Sequence, residues 1–491
     1  MRSIVTVLPI LFPVIMALVS LMIRERFSEK NFRRTYVTVT LCVNVLLMIA
    51  AVLWGSAAHL AITDELSISF TPDKLGSLLS LLFNVVWMLA GIYSFYYMEH
   101  AEERRNAFYC YYLLTIGAIS GIMLAGNYMT LYMTFEAMSF MSFPMVMNSR
   151  TKESINAGMK YLFYSVAGAS LGLIGYFFLN AYTTTTEFAA GGTLDLAKAA
   201  GHENLILIVT LLAIIGFGAK AGMFPLHAWL PTAHPAAPSP ASAVMSGVIT
   251  KCGVIAIIRV VYYLVGADFL RGTWVHKTWM ILALITVFMG SMLAYKENVL
   301  KKRLAYSSVS QVSYVLFGLS TLTPVGFVGA ILHVFAHCVI KTLLFMCAGS
   351  VICQTELKKV SDLRGIGKNM PVTMWCFTIA SLGLVGIPPT AGFVSKWYLA
   401  QGSLASAFAG LDWAGPAVLL VSALLTAGYL FTVSITAFLP GADFDYSTVK
   451  NEEVPATMIW PMIILAAGVI LMGICASPLI QFATGIAGGL V

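Results

Sequence analysis

Stretches of about twenty apolar residues recur from one end of this chain to the other, and that recurrence leaves few folds open. A helix needs about 20 residues to cross a hydrocarbon layer of about 30 Å. In lipid its backbone must also satisfy its own hydrogen bonds. The 491 residues are 59% hydrophobic and only 10% charged, where an average soluble domain is about a quarter charged. The pattern predicts an all-α polytopic membrane protein with about fourteen transmembrane helices. The first run, 4–23, lacks a small-residue cleavage site and reads as a retained span, not a signal peptide.

Basic residues sort by side. With the segment between the first two spans placed in the cytoplasm, that side carries clusters such as Arg24, Arg26, Lys30, Arg33 and Arg34. It also carries Lys301, Lys302, Arg303 and Lys450. The opposite loops hold only Arg2, Lys74, Lys198, Arg271 and Lys277. This is the positive-inside bias, and it predicts a multi-pass protein of the inner (cytoplasmic) membrane with both termini outside. The formal charge of +7 is explained by this asymmetry and signals no nucleic-acid partner. The eight cysteines form no CxxC pair, and the chain holds no Walker loop, dinucleotide fingerprint or iron–sulfur ligand set. No cofactor is expected in this chain.

Two spans are interrupted by proline. Span 7 (204–232) contains AKAGMFPLHAWLPTAHP, where Pro225 and Pro231 remove helix hydrogen bonds just after Lys220. Span 12 (371–400) contains LVGIPPTAGFVSKW, broken at Pro388 and Pro389, with Lys396 following. Paired broken helices point to a transporter built from repeats with sites at the breaks. Spans 4–8 and 9–13 are the expected inverted five-helix units. The chain then divides into 1–106 (spans 1–3), 107–266 (first repeat), 276–440 (second repeat) and 457–491 (span 14 and tail).

Charge inside these spans is sparse and ordered. Lys220, Lys251, Lys341 and Lys396 lie in apolar runs, and Glu136 is the one acid of 22 near the middle of a span. Intramembrane ionisable groups are costly and mark ion pathways or proton relays. Glu136 and Lys220 are the expected pair: separating opposite charges would release a proton from the amine. Lys251 sits too deep in span 8 to snorkel, whereas Arg259, nearer its end, anchors a loop or a lipid headgroup. In span 11, His333, His337 and Lys341 are spaced by four and share one helix face. Two histidines at that spacing could hold zinc, but the lysine one turn on opposes a cation, so a proton relay is favoured. His227 is a candidate channel-lining residue, and His234 is expected near the cytoplasmic surface. Lys396 either ends the series or snorkels outward.

The segments NYMTLYMTFEAMSF, FGAKAGMFPLHAWLPTAHPAAPSPASAVMSGVITKCGV, KKRLAYSSVSQVSYVLFG, HVFAHCVIKTLLF and GIPPTAGFVSKW occur in one order over residues 100 to 440. Together they resemble the antiporter-like, proton-translocating membrane subunits of respiratory complex I, a superfamily shared with Mrp-type cation/proton antiporters and energy-converting membrane-bound hydrogenases. The HAWLPTAHPAAPSPASA stretch is most similar to the hydrogenase-type members. The resemblance implies that Glu136, Lys220, Lys251, His337 and Lys396 carry the relay, with His333 and Lys341 beside it. It implies neighbouring membrane subunits, a cytoplasmic redox arm whose subunits could carry iron–sulfur or NiFe centres, and H⁺ as cargo, with Na⁺ a further candidate. A core subunit of a Na⁺/H⁺ antiporter is the alternative. A lipid-linked transferase is a distant third, because its outer loops would need clustered acids, and here they are scattered from Asp64 and Glu65 through Glu187 and Asp268 to Asp412.

Overall fold

The computed structural model describes residues 2–63, 66–101, 104–406, 408–441, 443–446 and 452–491. Asp64, Glu65 and Lys450 lie outside the described residues. The chain is a multi-pass membrane protein. Eleven of its described helices are long and apolar enough to cross a bilayer.

The principal helices are α1 (Arg2–Met22), α2 (Lys30–Trp54), α3 (Lys74–Ala101), α4 (Arg105–Leu124), α5 (Tyr128–Val146), α6 (Lys152–Asn180) and α7 (Glu203–Ala221). The short α8 (Leu230–Ala236) follows, then α9, continuous over Ser239–Val265. After it come α10 (Trp274–Lys296), α11 (Leu300–Ser320), α12 (Pro324–Thr355), α13 (Pro371–Val385) and α14 (Ala391–Leu404). The last three are α15 (Leu411–Phe438), α16 (Ala456–Ile474) and α17 (Ser477–Ala487). Eleven of the expected segments coincide with those eleven helices. The three outside the eleven are α5, α11 and the pair α13/α14. One departure from an all-α chain is a small antiparallel hairpin, β1 (Ala58–Ala61) with β2 (Ser67–Phe70), whose alternating SISF segment closes the turn between α2 and α3.

Caps fix the boundaries. Asn127, Thr151 and Thr323 each accept a backbone N–H from three residues on, starting α5, α6 and α12. The Thr151 cap starts α6 eight residues before the expected 160. The loops join in two separate sets. On one end Phe70 bridges Ala125, Asn127 bridges Glu187, and Thr193 donates to Leu264. On the other, Val299 bridges Lys359, and Arg34 and Lys30 pair with Glu99. The alternation of ends along the chain matches the one drawn from the basic residues.

Two helices sit wholly inside the bundle. α9 and α12 are buried along their whole apolar length, and α12 packs against α3, α9, α11, α13, α14, α16 and α17. Close packing in the first half rests on small residues. A Cβ on Gly168 of α6 would fall 2.4 Å from the Gly216 carbonyl oxygen of α7. One on Gly253 of α9 would fall 2.5 Å from that of Phe217.

Candidate functional site

Both expected breaks are present, built alike. α7 ends at Ala221 with Gly222 left-handed (φ 81°), and Pro225 follows in the loop. α13 ends at Val385 with Gly386 left-handed (φ 91°), and Pro389 follows. A left-handed glycine is the usual helix stop, and here proline lies three residues beyond it in each case. Pro231, expected to help break span 7, instead sits in the first turn of α8, where its missing N–H costs nothing.

Lys220 is fully buried in the last turn of α7. Its Nζ donates to Ser139 Oγ (2.9 Å), Tyr161 OH (2.7 Å) and Ser165 Oγ (2.8 Å), and lies 4.2 Å from the centre of the Tyr161 ring. The amine therefore meets three hydroxyls where a direct carboxylate partner was expected. Glu136 lies near enough to act on it electrostatically, but it forms no ion pair, is only half-buried, and leaves Oε2 without a hydrogen bond. Glu136 sits on the outward side of α5, between the exposed Met133 and Phe140.

Lys251 is fully buried in α9 between two π-helical stretches, Met245–Ile249 and Arg259–Val265. A π turn disturbs the regular hydrogen-bond ladder and often marks a functional position. The Lys251 ammonium uses the opening and donates to the Ser246 carbonyl. Cys252, next to Lys251 in sequence, is in electrostatic reach of both Lys220 and Lys251.

The expected polar face of α12 is present and buried. Lys341 donates to the Leu304 carbonyl (3.0 Å), and His333 Nδ1 meets Ser395 Oγ (2.9 Å). The His333 and His337 rings are 6.1 Å apart, and His333 stacks on Tyr314. His337 leaves both ring nitrogens without a protein partner and lies in reach of Lys251, Lys341, His333 and Lys396. Buried polar atoms without protein partners are where ordered water belongs. Among the described residues no three His, Cys, Asp or Glu side chains group to hold a metal ion.

Lys396 turns back into the second break, donating to the carbonyls of Leu384 (2.7 Å) and Val385 (3.0 Å), and lies 5.0 Å from the Tyr314 ring. Its stem is partly exposed, but its ammonium does not reach for the surface. His227 is partly buried in the first break with Nδ1 unpaired. His234, expected near the surface, is fully buried against the Phe345 ring at 4.7 Å, because α8 packs between α6 and α11. Arg259 anchors a loop: it forms a two-pronged pair with Asp73 at 2.6 and 2.8 Å. Burial alone would raise the Asp73 carboxyl, but Arg259 and the Gly76 amide hold it below the usual carboxylate range.

Several partners were not singled out from sequence: Tyr161, Ser165, Ser246, Tyr314 and Ser395. One signal was available. KKRLAYSSVSQVSYVLFG puts Ser307, Ser308, Ser310, Gln311 and Ser313 in one span, and all are fully buried in α11. Gln311 and Ser313 keep unpaired polar atoms.

The family described as NADH:quinone oxidoreductase/Mrp antiporter, TM, matches residues 125–426. NADH-quinone oxidoreductase subunit N of Desulforudis audaxviator is 34% identical over 422 residues, covering 83% of this chain and 82% of the relative. Hydrogenase-4 component B of Escherichia coli is 34% identical over 427 residues, 82% of this chain and 62% of that one. A chain of the Mrp complex from Dietzia sp. DQ12-45-1b shares the fold with a TM-score of 0.85 at 21% identity, covering 99% of this chain and 97% of the other. With a family match over more than half its length, this chain belongs to the NADH:quinone oxidoreductase/Mrp antiporter transmembrane family.

Proposed function

We propose that this chain is a proton-translocating, antiporter-like subunit of a redox-driven membrane assembly. The observation that carries the reading is a set of buried intramembrane amines and imidazoles between the two helix breaks: Lys220, Lys251, Lys341, His337, His333 and, turned inward, Lys396. In this reading the protein lies in the inner membrane with both termini outside and fourteen spans, of which 4–8 and 9–13 form inverted repeats. A proton enters from the cytoplasmic side at the first break, passes by way of water along Lys220, Lys251 and His337, and leaves outside through Lys396.

Glu136 stands apart. A partly exposed glutamate at membrane depth, with one carboxyl oxygen buried and unpaired, is costly. A neighbouring membrane subunit covers it in this reading and changes the charge near Lys220 as the assembly turns over. Redox centres, iron–sulfur or NiFe, belong to partner chains. The relatives' names include a quinone oxidoreductase subunit and a hydrogenase component. The family description also spans Mrp antiporters, so a gradient-driven Na⁺/H⁺ antiporter core is the second reading.

The test is coupled transport by the assembled complex in proteoliposomes. Glu136→Gln or Lys220→Ala is expected to abolish pumping while the complex still assembles. Wild-type pumping in either variant sinks the relay. Mass spectrometry of the intact complex separates the two readings: redox subunits support the first, and small membrane subunits alone the second.

A further inference from the structure

Tyr161 is a fully buried phenol that the relay above does not use. Its ring packs edge-on to Trp229 at 4.9 Å, and Trp229 donates to the Ala219 carbonyl at 2.8 Å beside the first break. Its hydroxyl touches Lys220 Nζ at 2.7 Å and Ser142 Oγ at 2.5 Å. Lys160, next to it in sequence, turns away to Thr232 at 3.0 Å.

The three hydroxyls around Lys220 are not equivalent. An ammonium has three donors and no acceptor, so charged Lys220 needs three acceptors and has them. A neutral amine has a lone pair, and one neighbour must then donate. Ser139 gives its own hydrogen to the Phe135 carbonyl (3.0 Å), and Ser165 gives its own to the Tyr161 carbonyl (2.8 Å). Redirecting either would give up a bond to its own helix backbone. Tyr161 has no backbone acceptor among the described bonds. Its partner is Ser142, which has the Met138 carbonyl at 2.7 Å as an alternative.

Resting on the relay proposed above, we infer that Tyr161 is the positioning residue that accepts from charged Lys220 and donates to neutral Lys220. The step balances. One N–H bond of the ammonium breaks and its proton passes to a water molecule, leaving the electron pair on nitrogen. The Tyr161 O–H turns from Ser142 to that pair, and Ser142 keeps its bond to the Met138 carbonyl. No bond of either hydroxyl breaks. Lys220 can thus lose its proton without first touching Glu136. The titratable groups facing this cluster are Glu136 on α5 and Cys252 on α9.

Tyr161→Phe keeps the ring on Trp229 and removes only the hydroxyl. In the reconstituted complex it is expected to slow coupled transport roughly three- to tenfold at neutral pH. Its pH–rate profile should move to more acidic pH, because the ammonium loses one of its three acceptors, a stronger bond than the one the neutral amine loses. A purely structural role would leave that profile in place. Ser142→Ala should move it in the same direction by less, and it decides the matter if the Phe variant fails to assemble. A wild-type rate and profile in Tyr161→Phe, beside an inactive Lys220→Ala, overturns this inference alone. Transport by Lys220→Ala overturns the relay and this inference with it.

Discussion

The two helix breaks share a design and differ in what they offer a lysine. At the first, Lys220 precedes the left-handed glycine and meets three hydroxyls. At the second, Lys396 follows the prolines and meets two carbonyls at the exposed end of α13. Hydroxyls donate and accept; carbonyls only accept. The first cradle can therefore hydrogen-bond an amine in either protonation state. The second serves a cation, and the negative end of the α13 dipole adds to that. The same backbone interruption has been filled once with groups that can bond an amine in either state and once with groups that only accept its hydrogens.

Arginine substitution breaks this comparison most sharply. Lys220→Arg inserts a planar, permanently charged group among oxygens placed for one nitrogen, and transport by the assembled complex should fall about a hundredfold or more. Lys396→Arg meets a carbonyl pair that a guanidinium can span, so the complex should assemble, while transport falls too because a guanidinium keeps its proton. Equal losses of assembled complex in the two variants would show that the cradles do not differ in kind.

Packing comes next. Gly392→Ala would set a Cβ 1.9 Å from the Gly383 carbonyl oxygen, across the second break. Gly253→Ala would set one 2.5 Å from the Phe217 carbonyl oxygen and 3.1 Å from Lys220 Cβ, beside the first. Each overpacking should cost about 1–3 kcal/mol or more, with Gly392→Ala the worse. Subunit abundance in membranes and the melting temperature of the solubilised complex would show the order.

The outer anchors also differ. The first core helix is tied down by Arg259–Asp73, whereas α12 has no ion pair among its described residues. Asp73→Asn leaves a buried guanidinium short of a partner, and a loss of about 3 kcal/mol is expected. Because the folded carboxyl titrates below its ordinary range, the pair stabilises above that range and the contribution fades as pH falls through the folded value. Melting curves of variant and wild type should therefore converge in acid, below about pH 4.

The smallest effect is expected at Ser395. Ser395→Ala removes the hydrogen bond that orients the His333 ring and should lower transport about threefold with assembly intact.

Much of this was legible from sequence because two kinds of signal were unambiguous. Apolar runs and basic loops gave the helices and their alternation. Charges inside apolar runs gave Lys220, Lys251, Lys341 and Lys396. What stayed hidden was who meets whom. Glu136 and Lys220 are opposite charges and looked like a pair, yet hydroxyls from α5 and α6 take the amine, because Gly168 and Gly216 bring α6 close to α7. A tyrosine or serine in a span carries no cost large enough to stand out, so Tyr161, Ser165 and Ser395 were silent. His234 was misplaced because the depth of a short segment after a break depends on its tertiary tuck, which no periodicity records.

Over their apolar lengths the two helices that carry Lys251, His333, His337 and Lys341 are enclosed by the rest of the chain. What a bilayer or an adjoining chain presses upon is chiefly the surrounding shell. Such a body can be refitted for new company by rewriting its outer skin while the conducting interior is left untouched. A buried centre of this kind is portable, and it gives a physical basis for one fold serving unlike machines.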